Sequence, residues 1–152
     1  VDVVTSFDVR VENDLISIDV SELSNPISFG NGSAATAASA GTIAIVEQSL
    51  NTNLNYSSNA AASIVKLTQT DQSTFAAALG TSEITVANNA TINFLWFDNT
   101  NKQAVFGYVN ENSASPDENL IKADDTFTEI VKLAMTESTY THFLDADNFV
   151  FT

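Results

Sequence analysis

The most regular alternation of apolar and polar positions in this chain lies in residues 91–109. Two apolar runs there flank the polar stretch 98–102. Alternation with apolar residues on both faces is typical of strands that are covered on both sides. The first strand would direct Ile92, Phe94 and Trp96 to one face and Leu95 and Phe97 to the other, and the second would set Phe106 and Tyr108 against Val105 and Val109. Asp and Asn favour tight turns, so the pattern predicts a hairpin at the centre of a sheet.

Shorter runs of the same kind predict further strands on either side of this hairpin. They cover residues 1–7, 16–20, 42–46, 83–87, 124–135 and 148–151. In the longest of them, simple alternation would place Phe127, Val131, Leu133 and Met135 on one face. Each terminal strand offers an edge that can pair with a neighbouring subunit. The residues proposed for this pairing are Val3, Val4 and Phe7 at the start and Phe149, Val150 and Phe151 at the end.

Helical spacing of apolar residues predicts three short helices. The first would cover residues 59–67 with Ser58 as its N-cap, and the second residues 72–79, capped by Thr70 or Asp71. A third would begin after Thr136 and include Tyr140 and Phe143. Strands still predominate, and we therefore expect a mainly β fold, a single β-sandwich or β-roll-like domain with two or three short helices.

The length of the chain fits a single domain. A domain of 152 residues buries about 70% of its unfolded surface, and a hydrophobic content of 44% with ten Phe supplies a core. We expect one domain over residues 1–152, with N-terminal strands in 1–30, a small-residue loop in 31–41 and the main body in 42–152. No signal-peptide pattern opens the chain, and because its first residue is Val1 and not Met, it is expected to be processed or cut from a longer protein.

The charge balance excludes several classes of partner. The chain has 19 acidic and five basic residues and a formal net charge of −14. Such a field repels nucleic acid and anionic membranes and attracts cations. No apolar run approaches the roughly 20 residues of a membrane span, so membrane insertion is not expected. Lys and Arg are few while Asn, Thr, Ser and Ala are abundant, which is the balance of many exported bacterial surface proteins, and a domain of this size has enough core to do without disulfides.

Two stretches resemble a known class of bacterial proteins. The opening VDVVTSFDVRVENDLISIDVSEL resembles the segment after the calcium-binding nonapeptide repeats of RTX-type exoproteins, with Asp2, Val4, Phe7, Asp14, Ile18, Asp19 and Ser21 at the matching places. The second half, through NFLWFDNTNKQAVFGYV and DTFTEIVKLAMTESTYTHFLDADNFVF, is similar to the C-terminal domain of type I-secreted surface and S-layer-like proteins. The resemblance implies an extracellular location at the bacterial cell surface. The nonapeptides themselves are absent and Asp14 departs from the expected spacing.

Calcium is the cofactor that the acidic residues suggest. Ca²⁺ binds carboxylate and carbonyl oxygens, and the candidate ligands lie at the N-terminus, in the hairpin loop and in the acidic loop 110–125. They are Asp2, Asp14, Asp19, Asp98, Asn101, Asp117, Asp124 and Asp125. The alternative is that these acids only keep the surface soluble. The hairpin loop lacks the Gly and terminal Glu of an EF-hand.

No pattern of catalytic residues stands out, and we expect no enzyme. His142 is the single histidine, so a histidine cluster for zinc is excluded. Trp96 alternates at strand spacing and is assigned to the core and not to a sugar-stacking platform. We expect a non-catalytic domain of a surface protein that self-assembles into a fibre or layer, with a C-terminal secretion signal or a plain strand in residues 147–152. The alternative is a calcium-dependent adhesive or glycan-binding module whose partner is a cell-surface polysaccharide.

Overall fold

The computed structural model describes residues 2–4, 15–19, 43–58, 62–87, 90–111, 119–142 and 144–151. These residues form a mainly β fold, which confirms the predicted fold class. The strands are β1 Asp2–Val4, β2 Ile16–Ile18, β3 Ala44–Gln48, β4 Leu54–Asn55, β5 Ala62–Leu67, β6 Ile84–Thr85, β7 Thr91–Asp98, β8 Gln103–Asn110, β9 Leu120–Ile121, β10 Phe127–Ala134 and β11 Phe149–Phe151. The helices are α1 Phe75–Leu79 and α2 Glu137–His142, and short 3₁₀ turns cover Tyr56–Ser58 and Ala146–Asn148.

The main sheet has six strands in the order β1-β10-β8-β7-β5-β3. Only β8 runs antiparallel to its neighbours, and the other five strands are parallel to one another. The predicted hairpin is confirmed as β7 and β8, paired from Thr91 opposite Asn110 to Asp98 opposite Gln103. Every residue of β7 is buried, as expected for a strand in the middle of a covered sheet.

Two hydrophobic cores cover the two faces of this sheet. The first contains Ile92, Phe94 and Trp96 and is closed by α1 and the small sheet of β4, β6 and β9. The second contains Leu95 and Phe97 and is closed by α2 and the paired strands β2 and β11. The predicted division of the hairpin residues between two faces is therefore confirmed.

The prediction of a helix over residues 59–67 was wrong. Residues 62–67 form β5, a strand between β3 and β7 that is parallel to both. Ile64 packs in the second core and Val65 and Leu67 in the first, so both faces of the strand are buried. A strand buried on both faces has no simple apolar and polar alternation, and a short run of this kind also satisfies helical spacing.

The other two helices lie where they were predicted, with one changed boundary. Thr74, not Thr70 or Asp71, is the N-cap of α1, and its hydroxyl accepts a hydrogen bond from the backbone N–H of Ala77 at 3.1 Å. Thr136 caps α2 as predicted and accepts from the N–H of Thr139 at 3.1 Å. Phe143, which was included in the predicted helix, lies outside the described residues.

Candidate functional site

A β-bulge in β10 directs two charged residues to the same face of the sheet. The pairing with β8 shifts between Glu129 and Val131, so Ile130 and Val131 both pack against the second core. The prediction that Phe127 and Leu133 share one face of this strand was wrong. Phe127 packs in the first core and Leu133 in the second, because the bulge reverses the alternation between them. Glu129 and Lys132 therefore meet on the first-core side, with Oε2 and Nζ 3.0 Å apart.

An aromatic stack lies next to this ion pair. Phe127 of β10 stacks on Phe75 of α1, with ring centroids 4.4 Å apart and an angle of 11° between the planes. Between β10 and β7, the β8 residue at this level is Gly107, paired with Phe94 on one side and Glu129 on the other. A Cβ atom at position 107 would lie 2.6 Å from Cζ of Phe127. The missing side chain of Gly107 therefore leaves the space that the Phe127 ring occupies.

The ion pair and the aromatic stack line an open cleft of about 490 Å³ between α1, β7, β10 and the turn before β10. We call it the α1–β10 cleft. Its lining residues are Ser73, Thr74, Phe75, Ala76, Trp96, Asp98, Ala123, Asp125, Phe127, Glu129 and Lys132. Trp96 is buried, with an exposed fraction of 3%, and within the described part of the chain its indole Nε1–H has no hydrogen-bond partner. The cleft thus brings together Asp98 and Asp125, two residues proposed from sequence as calcium ligands.

Asp98 is engaged by donors from its own hairpin loop. Its Oδ1 accepts from the backbone N–H groups of Thr100 at 2.9 Å and Asn101 at 3.2 Å. Its Oδ2 accepts from Nδ2 of Asn101 at 2.7 Å and Nε2 of Gln103 at 3.3 Å. Burial alone would raise the pKa of Asp98, but the hydrogen bonds from Asn101, Thr100 and Gln103 outweigh burial and hold the pKa below its usual value. This arrangement favours a role for Asp98 in closing the hairpin.

Asp124 and Asp125 are neighbours in sequence but line different hollows. Oδ2 of Asp125 accepts a hydrogen bond from the backbone N–H of Lys122 at 2.7 Å and the residue borders the α1–β10 cleft. Asp124 is exposed and lines a second hollow with Glu83 and Lys122. Nζ of Lys122 lies 4.0 Å from Oε1 of Glu83 across that hollow.

The remaining calcium candidates are dispersed. Asn101 and Asp19 are exposed, and Asp2 lies in β1 with only its backbone described. Asp14 and Asp117 lie outside the described residues. Within the part of the chain that the structure describes, no three His, Cys, Asp or Glu side chains are arranged to hold a metal ion. Calcium binding stays a prediction.

The terminal strands both pair in parallel with partners from the opposite end of the chain. β1 pairs with β10, with Val3 opposite Lys132 and Val4 opposite Leu133. β11 pairs with β2, with Phe149 opposite Ile16. Val4 is 38% exposed, Phe149 is buried and Val150 is half-buried. Phe151 belongs to β11 with its backbone alone described, and Phe7 lies outside the described residues.

A buried lysine, which the sequence analysis did not identify, lies at the other side of the sheet. Lys66 of β5 is 5% exposed, and its Nζ donates to the carbonyl oxygen of Leu144 at 3.0 Å and lies 3.7 Å from Oε1 of Glu47. The ammonium also lies 5.1 Å from the centre of the Tyr140 ring. Burial lowers the pKa of Lys66, and the charges of Glu47 and Asp145 partly oppose this. Its sequence signal was a single cation inside an otherwise apolar run.

The chain was compared with family models, curated proteins and solved structures. No family model matches the chain, and neither a curated protein nor a solved structure matches it. No α-helix among the described residues is long and apolar enough to cross a membrane. The features that bear on function are therefore the geometry of the cleft, the edges of the sheet and the net charge.

Proposed function

We propose that this chain is a non-catalytic structural domain of a bacterial surface protein that self-assembles by exchanging its first strand. The observation that supports this proposal is the position of β1 at the outer edge of the six-stranded sheet. It is a three-residue strand that pairs with β10, a strand from the far end of the chain. In the assembly, β1 of one copy would pair with β10 of the next.

Exchange of β1 between copies would keep the contacts between β1 and β10. The same residues pair whether β1 comes from its own subunit or from a neighbour, which is the physical basis of domain swapping. β1 is a strand of three residues and its Val4 is 38% exposed, so we expect its opening to require less free energy than the opening of β7, in which every residue is buried. A vacated β10 would present unpaired backbone groups, which favour the addition of another strand.

The opposite edge of the sheet has a feature that discourages strand addition. Glu47 lies on the edge strand β3, and its side chain is 63% exposed. Charged residues on edge strands protect natural sheets from pairing with other chains. The proposed contact therefore uses the β1 and β10 edge and gives each copy one donor strand and one acceptor strand. Repetition of such a head-to-tail contact yields a fibre or a layer.

Calcium has a place in this proposal as an ion between copies. A formal charge of −14 on each subunit opposes close approach, and divalent cations would reduce that repulsion. Secretion to the cell surface, and a C-terminal secretion signal, are supported by the resemblance to type I-secreted proteins given by residues 1–23 and by the second half of the chain.

Light scattering of the chain in millimolar Ca²⁺ and in chelator tests the assembly. Large particles in Ca²⁺ that dissociate in chelator are the expected result. A monomer under both conditions at high protein concentration would contradict self-assembly. Large particles under both conditions would support self-assembly and would show that it does not require calcium.

A further inference from the structure

We propose that the α1–β10 cleft binds a neutral carbohydrate, a site that is independent of strand exchange. The cleft measures about 490 Å³, which lies within the roughly 300–1,000 Å³ typical of small-molecule sites. It combines an aromatic wall with polar groups of both kinds, hydrogen-bond donors and acceptors. A sugar ring presents the same combination, with apolar C–H faces and a rim of hydroxyl groups.

The aromatic wall is formed by the stacked rings of Phe75 and Phe127. Their parallel arrangement at 4.4 Å fixes the plane of Phe127, which is only half-buried and borders the open cleft. An exposed part of a fixed ring gives a sugar C–H face an apolar surface without loss of side-chain freedom. Gly107 maintains this arrangement, because a Cβ atom there would meet the Phe127 ring.

Acceptors in the cleft come from two carboxylates. Asp125 uses Oδ2 for the backbone N–H of Lys122, and no described group donates to its Oδ1. Glu129 is 32% exposed at its side chain and is held by Lys132. Carboxylates accept hydrogen bonds only, and sugar hydroxyls are donors that suit them.

Donors come from Lys132 and Trp96. The ammonium of Lys132 can donate three hydrogen bonds, and its side chain is 26% exposed beside Glu129. The Nε1–H of Trp96 is buried and has no hydrogen-bond partner among the described residues, although Trp96 borders the cleft. A buried donor without a partner is unfavourable, and a ligand hydroxyl that reached it would supply the missing acceptor.

The charge of the cleft selects among sugars. Asp98, Asp125 and Glu129 oppose the single cation Lys132 among its lining residues. The carboxylate of an acidic sugar would therefore meet net negative charge in a chain that is itself strongly acidic. Neutral pyranoses are the class that fits, and uronic acids are excluded.

Trp96 is the single tryptophan of the chain, so its fluorescence reports directly on the cleft. The full chain is titrated with methyl glucoside, methyl galactoside, methyl mannoside and N-acetylglucosamine, each to tens of millimolar, and with glucuronic acid. Backbone NMR spectra are recorded in parallel in case the fluorescence does not respond. We expect saturable binding of at least one neutral sugar, unchanged by chelator, with NMR shifts concentrated in β7 and β10, and no binding of glucuronic acid.

Matched variants locate the site. Glu129→Gln and Asp125→Asn preserve side-chain size and are expected to weaken binding at least tenfold in combination, with the circular dichroism spectrum unchanged. Asp124→Asn removes the neighbouring exposed carboxylate outside the cleft and should leave binding unchanged. The proposal is overturned if no neutral sugar binds by either method, if glucuronic acid binds equally well, or if the double variant binds like the unaltered chain.

Discussion

Gly107 of β8 faces the ring of Phe127 on β10 so closely that a methyl group at position 107 would lie 2.6 Å from Cζ of that ring. The same methyl group would collide with the backbone carbonyl of Thr128, which cannot rotate away. We therefore predict that Gly107→Ala lowers the free energy of unfolding by about 1–3 kcal/mol, the usual effect of overpacking in a core. Urea unfolding measures it.

A control for Gly107→Ala is Thr128→Ala, which changes an exposed side chain on the adjacent strand. Its effect should stay within about 1 kcal/mol, the range of strand propensities. Equal stability of Gly107→Ala and the unaltered chain would show that the ring of Phe127 is not confined by β8.

The carboxylate of Asp98 is predicted to stabilise the hairpin through the hydrogen bonds it accepts. Asp98→Ala should cost about 1–3 kcal/mol, because the N–H groups of Thr100 and Asn101 lose a charged acceptor. Asp98→Asn keeps one oxygen acceptor and should cost less. Comparable losses in the two variants would argue against this role.

The same carboxylate gives a pH dependence with a definite sign. Its pKa is held below the usual value in the folded state, so its contribution to stability is complete above the unfolded pKa of about 3.9. That contribution is lost as the pH falls through the folded pKa. Unfolding measured between neutral and acidic pH should therefore show a smaller acid loss in Asp98→Asn than in the unaltered chain.

Tyr140 is predicted to resist ionisation and to join two strands. Its hydroxyl lies 2.6 Å from the carbonyl oxygen of Leu67 and 3.0 Å from that of Leu95, on neighbouring strands. Burial and, to a lesser extent, the charge of Glu47 raise the pKa of Tyr140, and a raised pKa gives stability that is complete below the unfolded pKa of about 10 and declines above it. Tyr140→Phe should lower stability at neutral pH by about 1–3 kcal/mol.

Spectroscopic titration at alkaline pH tests the raised pKa of Tyr140. Absorbance at 295 nm should show Tyr140 ionising only when the chain unfolds, and the loss of stability above pH 10 should be smaller in Tyr140→Phe. Ionisation of all three tyrosines near pH 10 in the folded chain would contradict the burial of this hydroxyl.

Lys66 is predicted to contribute more to stability than Glu47, the exposed residue with which it forms an ion pair. Lys66→Ala should cost about 2–4 kcal/mol, because the buried stem loses its packing and the carbonyl oxygen of Leu144 loses its donor. Glu47→Gln should cost less than about 1 kcal/mol, since the Glu47 side chain is 63% exposed and its ion pair is screened by water. Thermal unfolding of the two variants compares them directly, and equal losses would contradict the assignment.

Local pattern was sufficient for the parts of this fold that depend on neighbours in sequence. The alternation in 91–109 predicted β7, β8 and the assignment of Trp96 to one core and Leu95 to the other, because a hairpin pairs adjacent segments. The same reasoning failed for β5, whose neighbours β3 and β7 are both parallel and joined by crossovers. Burial of both faces removed the alternation that would have identified it.

The α1–β10 cleft could not be predicted from the sequence, because it also depends on contacts between segments that are distant in the chain. It depends on the bulge between Glu129 and Val131, which reverses the alternation that the sequence of β10 suggests. It also depends on the contact of Phe75 in α1 with Phe127 in β10, which are distant in the chain. The sequence identified Asp98 and Asp125 as acids of interest, but their common cleft follows only from the tertiary fold.

Disulfide trapping between copies tests the exchange of β1 most directly. The chain has no Cys, so any disulfide must join two introduced thiols, and the heterodimer differs from both homodimers by its composition. Val3 and Lys132 are opposite one another in β1 and β10, and neighbouring strands are about 5 Å apart, within the range a disulfide spans. Val3→Cys chains are mixed with Lys132→Cys chains under assembly conditions and oxidised, and Val3→Cys mixed with Ser57→Cys is the control.

Strand exchange predicts a disulfide-linked heterodimer in the first mixture and none in the control. The double variant Val3→Cys, Lys132→Cys should then form long disulfide-linked chains in the assembled state. If the mixture gives no heterodimer, and the double variant closes its disulfide only within single chains, β1 stays in its own subunit and the central claim is contradicted.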